Sequence, residues 1–280
     1  MKQRILNHTI RNSLLIFLVL LVVHAFEAVF LRLDETILGE NFLNKIFGIL
    51  VLFYVLKILA WKWQDIGFSA KGFGRSICIG FSLAVCTFLA AYAAEILILI
   101  GQGYTVSLGI FTTGFSLVGE SEIHTGAGYI LMCIFFNIIN VIMEEGVFRG
   151  FFTGLVSADH TKKTALLFQA FLFGVWHIVT PLHNLADGDL EFAAFLGLSV
   201  GYVILAGIMG IKWGLLYQMT GSLYAGMADH FFNNCVATNL LHVTTESRTD
   251  EMLILRVLIA QMLSFALVMV VFRRWKKRNA

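Results

Sequence analysis

Apolar runs of about membrane length alternate with short polar segments along the whole of this 280-residue chain. A helix needs about 20 mostly apolar residues to cross a bilayer. The pattern predicts eight such spans, at 13–32, 43–62, 76–100, 127–148, 164–180, 192–210, 215–241 and 252–272. Lys2, Arg4 and Arg11 precede the first run, which is longer than a signal-peptide core of about 7–15 residues and lacks an A-x-A site, so it reads as a retained span. The single proline, Pro181, falls just beyond the fifth span and is expected to end that helix. The stretch GYTVSLGIFTTGFSLVG (103–119) is apolar but punctuated by Gly, Ser and Thr, and reads as a re-entrant or interfacial segment. No internal repeat, low-complexity linker or soluble domain interrupts the series. The expected fold class is all-α: a polytopic integral membrane helical bundle of about eight transmembrane helices, with residues 1–280 forming one membrane domain.

Composition agrees with this pattern. The chain is 58% apolar and 14% charged, with mean hydropathy +0.82, against about 45–50% and about 25% for soluble domains. The net charge of +2 matters less than where the cations stand. If both termini share one side, that side collects 16 of the 20 basic residues: Lys2, Arg4, Arg11, Lys57, Lys62, Lys71, Arg75, Arg149, Lys162, Lys163, Lys212 and the tail Arg273, Arg274, Lys276, Lys277 and Arg278. The opposite loops hold Glu120, Glu122, Asp187, Asp189, Glu191, Glu246, Asp250 and Glu251, with Arg248 among them. The positive-inside rule then makes both termini cytoplasmic and the span number even, in what is expected to be the cell membrane. No basic patch with interleaved aromatics points to nucleic acid. Cys78, Cys86, Cys133 and Cys235 form no CxxC pair and read as small apolar residues, without a disulfide or metal role.

Against this background, NIINVIMEEGVFRGFF (137–152) stands out, because each charge in hydrocarbon costs at least a few kcal/mol unless paired or wetted. On a helix, Glu145 stacks with Arg149 four residues on, whereas Glu144 points elsewhere without a local cation. Asn140 and Asn137 extend a polar seam along the Glu144 face. The fifth span carries FLFGVWHIV, with Phe173 and His177 four apart, and the seventh carries ADHFFNNCV, with His230 and Asn234 four apart. The helical rise of about 1.5 Å per residue permits these groups to meet at one level. Glu27 and Glu95 fall near the outer ends of their spans, where water is expected to reach them. His183, Asp187 and Asp189 read as a solvated outer loop, and His160, Lys162 and Lys163 as ordinary cytoplasmic loop residues.

The order E-E-x-x-x-R, F-x-x-x-H, H-x-x-x-N on successive membrane helices resembles the CAAX protease and bacteriocin-processing family, also called Abi, of intramembrane endopeptidases, which includes the Ras-converting type that trims prenylated proteins. The matching residues are Glu144, Glu145 and Arg149; Phe173 and His177; His230 and Asn234, within a motif-bearing core of about 129–236. The resemblance implies peptide-bond hydrolysis on a peptide or protein substrate, prenylated or membrane-anchored, at the lipid bilayer. The residue types allow it: Glu144 as general base, His177 holding the water or passing its proton, His230 and Asn234 donating to the oxyanion, and Glu145 with Arg149 fixing the helix. Glu144, His177 and His230 would also supply three ligands to Zn²⁺, an alternative that leaves no obvious carboxylate as base. A Ser222-based site or an Asp187–Asp189 pair fits poorly. Two rival readings are a non-catalytic immunity or scaffold member of the same fold, and a proton-coupled carrier. The enzyme reading requires Glu144, His177, His230 and Asn234 to share one pocket, with water entering from the cytoplasm.

Overall fold

A computed structural model describes residues 2–36, 40–113, 123–246 and 248–279. A short α1 (Lys2–Leu6) leads into α2 (Thr9–Phe26), which widens into a π turn at Glu27–Leu31. There follow α3 (Leu43–Leu59), α4 (Phe73–Gly101), α5 (Ala127–Glu144) with a π-helical continuation at Glu145–Phe152, and a last turn α6 (Thr153–Val156). After these come α7 (Lys162–Trp176), α8 (Val179–Ala186), α9 (Phe192–Thr220), α10 (Tyr224–Phe231) with its own π continuation at Phe232–Thr238, and α11 (Leu253–Asn279). Among the described residues, six stretches are long and apolar enough to cross a membrane: Thr9–Glu35, Phe73–Gly101, Ala127–Val156, Lys162–Ala186, Phe192–Thr220 and Leu253–Asn279. The other two expected spans are the shorter α3, packed on α5, and α10, packed between α4 and α9. Large apolar side chains such as Leu15, Phe30, Leu50, Leu97 and Ile204 are exposed around the outside, as a lipid-facing belt requires.

Helices approach closely where glycine removes the side chain, the usual device of membrane packing. A methyl group on Gly174 of α7 would lie 2.5 Å from the Val203 carbonyl oxygen of α9, and one on Gly80 of α4 would collide with the Ala225 carbonyl of α10. The apolar core lies between α2, α3, α5, α7 and α9, around Phe148, Phe151, Phe152, Phe173, Trp176 and Trp213.

One end of the bundle gathers the chain termini. There Thr9 Oγ1 donates to Asp159 at 2.5 Å, and Leu223 N donates to the Gly67 carbonyl at 3.1 Å. At the far end, His183 Nδ1 meets the Ala28 carbonyl at 2.6 Å, and Arg32 pairs with Asp187 at 2.9 Å. A small β cap also covers that end: β1 (Ser107–Ile110) pairs antiparallel with β4 (Leu241–Thr244), and β2 (Thr112–Thr113) with β3 (Ile123–His124).

Several sequence expectations change. Of the segment expected to be re-entrant or interfacial, residues 107–110 and 112–113 form cap strands at the end of the bundle, and 114–119, with Glu120 and Glu122, lie outside the described residues. No loop separates 210 from 215, because α9 runs through to Thr220. Lys212 is therefore no loop residue: it is fully buried and paired with Asp229 at 2.5 Å. Subtracting buried Arg149 and Lys212 from the 16 expected basic residues leaves 14 toward the end that holds the termini. Pro181 sits in the first turn of α8, and the break falls near the residue four before it, at His177–Ile178, where a proline ring clashes with the preceding turn.

Glu27 and Glu95 do not reach water. Glu27 is 1% exposed and accepts hydrogen bonds from the Leu43 and Asn44 backbone N–H groups at 2.8 and 2.6 Å, so it caps α3 from another helix. Glu95, also 1% exposed, pairs with Arg256 at 2.9 Å. Arg256 reaches on to Asp250 at 2.9 Å and ties the cap to the bundle. Burial alone would raise the Asp250 carboxyl, but the His242 hydrogen bond and the Arg256 charge outweigh it and hold the group below the usual carboxylate range. His183 likewise belongs to α8 and pairs with Asp187 at 2.9 Å instead of lying in a solvated loop.

Candidate functional site

The two glutamates stand where α5 gives way to its π-helical continuation, a widening of the turn often found at functional sites. Glu144 is 4% exposed and Glu145 fully buried, and they take different partners. Glu145 Oε1 lies 3.4 Å from Arg149 Nη1 and 3.0 Å from His230 Nδ1. The Arg149 guanidinium rests 3.8 Å over the Phe173 ring and 4.8 Å from the Trp213 centroid. It faces π density instead of hydrogen-bond acceptors, and its three nitrogens have none among the described residues. Glu144 Oε1 accepts from Trp176 Nε1 at 3.0 Å. Glu144 Oε2 is buried, with no hydrogen-bond partner among the described residues, 3.5 Å from His230 Nε2.

The motif residues on the other helices converge here. His230 stacks on Trp213, ring centroids 4.0 Å apart, and Asn234 Nδ2 lies 3.1 Å from His230 Nε2. With Nδ1–H directed at the Glu145 carboxylate, Nε2 is the acceptor for the Asn234 amide. His177 Nδ1 donates to the Phe173 carbonyl at 2.8 Å, which leaves Nε2 for the cavity. Phe173 supports both imidazoles edge to face, with centroids 4.6 Å from His177 and 6.0 Å from His230.

A cavity of about 150 Å³ touches Glu144, His177, Asn234 and Asn140, and extends to Glu40, Asn41, Lys45 and His183. Those last residues belong to the far end of the bundle. The cavity therefore extends from the site toward the end of the bundle opposite the termini. Phe148, Phe151, Phe152 and Phe173, all buried, fill the other side of the site. At the mouth, burial pushes the Glu40 carboxyl up to about 7, with Lys45 opposing the shift. Of the asparagine seam, Asn140 lines the cavity, while Asn137 Nδ2 turns back to the Cys133 carbonyl at 2.9 Å.

Trp176, His24, Trp213, Glu40 and Lys45 were not anticipated. Trp176 had a local signal, since it precedes His177 in the same span. His24 stacks on Trp176 at 4.1 Å between centroids, a contact between α2 and α7 that no spacing within one helix could signal.

Among the described residues, the only trio of His, Cys, Asp or Glu whose ligand atoms all lie within 4.8 Å of one another is Glu35, His183 and Asp187, and Arg32 already pairs with both of its carboxylates. Glu144, His177 and His230 do not close to that separation, and His230 Nε2 is engaged by Asn234, so this donor set does not fit Zn²⁺ as arranged.

The fold and site together define a polytopic helical membrane protein with an acid–imidazole–amide cluster buried in its bundle and reached through a narrow cavity. Residues 126–236 match the family model described as type II CAAX prenyl endopeptidase Rce1-like, in agreement with the resemblance that the motif residues carry. The family so described is one of intramembrane endopeptidases, which act on prenylated or membrane-anchored proteins. Neither the curated proteins nor the solved structures gave a match to this chain.

Proposed function

We propose that this protein hydrolyses a peptide bond in a membrane-anchored or lipidated substrate by glutamate-activated water. The observation that carries this reading is the division of labour on Glu144: one carboxylate oxygen is held by Trp176, and the other is buried beside His230 with no hydrogen-bond partner among the described residues. Water held between Glu144 Oε2 and His177 Nε2 gives its proton to Glu144 as its oxygen adds to the scissile carbonyl carbon. The oxyanion that forms takes a hydrogen bond from one Asn234 Nδ2–H, while the other stays on His230 Nε2, so that His230 supports the oxyanion through the amide it orients. The carbon–nitrogen bond then breaks, and the proton returns from Glu144 to the departing amine. Glu145, Arg149 and Phe173 hold the two histidines and the π-helical segment in place.

The 14 basic residues toward the end with the termini support a cytoplasmic location for both termini. The cavity would then open on the opposite face, so the favoured substrate is a membrane-anchored peptide presented from that side. Tagged lipidated and unlipidated peptides, offered to purified protein in vesicles of known orientation, test both parts of the proposal. Cleavage should be lost in Glu144→Gln with folding intact, because a glutamine oxygen still accepts from Trp176. Normal turnover by that variant would refute the mechanism, and cleavage only of peptides offered to the face with the termini would refute the side of entry.

A further inference from the structure

We infer that Gln261, on α11 and outside the segment that matches the family, is a positioning residue that turns the Asn234 amide so that its N–H faces the cavity. This rests on the reading of Asn234 as an oxyanion donor. The two ends of a carboxamide have nearly the same shape, so only its partners choose the orientation. Lys212 Nζ can only donate, and it lies 2.6 Å from Gln261 Oε1, with Ser264 Oγ at 2.9 Å and Asp229 Oδ2 at 2.5 Å. That directs the Gln261 oxygen to the ammonium and its Nε2 to Asn233 Oδ1 at 2.8 Å. Asn233 Nδ2 is thereby turned onto Asn234 Oδ1 at 2.7 Å, and Asn234 Nδ2 is left facing His230 Nε2 at 3.1 Å. Flipping any one amide sets donor against donor or acceptor against acceptor. Lys212, Gln261 and Asn233 are all buried, so water cannot repair such a mismatch. The polarity of three amides is thus referred to one buried ammonium.

Gln261→Met keeps the side-chain length but removes the amide, so Asn233 and Asn234 lose their fixed sense. In membrane-reconstituted enzyme, kcat should fall about tenfold, the worth of one hydrogen bond, with KM changed less than twofold. Gln261→Glu can only accept. It reverses the relay and should approach the loss of about 10²–10³ expected for Asn234→Ala. The decisive measurement is Gln261→Met in the Asn234→Ala background, where it should cost nothing further because the group it orients is gone. An equal cost in both backgrounds, or none in the parent enzyme, overturns the relay. Full turnover by Asn234→Ala alone would instead overturn the oxyanion assignment on which the relay rests.

A separate groove carries a second inference: we propose that it binds an anionic glycerophospholipid. This cavity of about 620 Å³ lies between α4, α9 and α11, shares no lining residue with the site, and sits toward the end with the termini. Its walls are apolar, including Ile79, Leu83, Leu216 and Leu267, while Lys71 and Arg75 stand at one end beside Ser69. Acyl chains suit the walls and a phosphate suits the two cations. Its separation from the cavity at Glu144 argues against the lipid group of a substrate being cleaved there. Native mass spectrometry after exposure to equal phosphatidylglycerol and phosphatidylcholine should show the anionic lipid retained preferentially, with about fivefold less retention for each of Lys71→Glu and Arg75→Glu. Absence of headgroup preference, unchanged retention in both variants, or displacement of the lipid by a farnesylated peptide would each overturn it.

Discussion

Arg149→Met, compared with Glu145→Gln and with the double variant, probes how the buried charges are held. Arg149 is fully buried, 3.4 Å from Glu145 Oε1 and stacked over Phe173. Methionine keeps much of the packing but leaves the fully buried Glu145 carboxylate without its cation. Breaking a buried pair from one side costs about 3–5 kcal/mol, and part of that is the cation–π contact, worth about 2 kcal/mol when desolvated. Glu145→Gln strands the arginine and should cost a similar amount. The double variant removes both charges, and its glutamine oxygen can still accept from His230 Nδ1, so only about 1–2 kcal/mol should remain, mainly the lost cation–π contact. The cycle should therefore show the double variant about 1–4 kcal/mol more stable than either single variant. Reversible unfolding in mixed detergent micelles, followed by tryptophan fluorescence, measures this. A double variant no more stable than Arg149→Met would show that Arg149 acts through packing, and the ion-pair account would fail.

Three further outcomes are expected. Gly174→Ala drives a methyl to 2.5 Å from the Val203 carbonyl and should destabilise the α7–α9 contact by about 1–3 kcal/mol in the same unfolding assay; an unchanged midpoint would mean that the helices part freely. Because burial raises Glu40 from 4.5 to about 7, the folded protein binds this proton more tightly than the unfolded chain; that stabilisation is complete below about pH 4.5 and is lost as pH rises through about 7. The unfolding temperature should thus fall between pH 5 and pH 8, and Glu40→Gln should flatten the slope; an identical slope in the variant would contradict the assignment. Peptide cleavage by protein dialysed against a strong zinc chelator should match the untreated enzyme, and loss of turnover restored by Zn²⁺ would contradict the glutamate reading.

The helical membrane class and the motif residues were legible in the one-dimensional pattern, because apolar run length answers to bilayer thickness and i,i+4 spacing puts Glu145 by Arg149 and His230 by Asn234. The same reasoning misplaced Lys212, since a lone lysine near a glycine resembles a loop until a buried aspartate from another helix is seen to neutralise it. Trp176 holding Glu144, His24 stacked on Trp176, and Gln261 acting through Asn233 are contacts between helices far apart in sequence. They depend on how each helix is rotated and how deeply it sits. Close approach at Gly80 and Gly174, the break before Pro181 and the π-helical widenings at Glu27–Leu31, Glu145–Phe152 and Phe232–Thr238 govern that rotation, and none of these follows from a 3.6-residue repeat. So the apolar and motif spacing establishes what kind of protein this is and which side chains to watch, whereas the packing of the helices decides which carboxylate oxygen is free and toward which end the cavity opens.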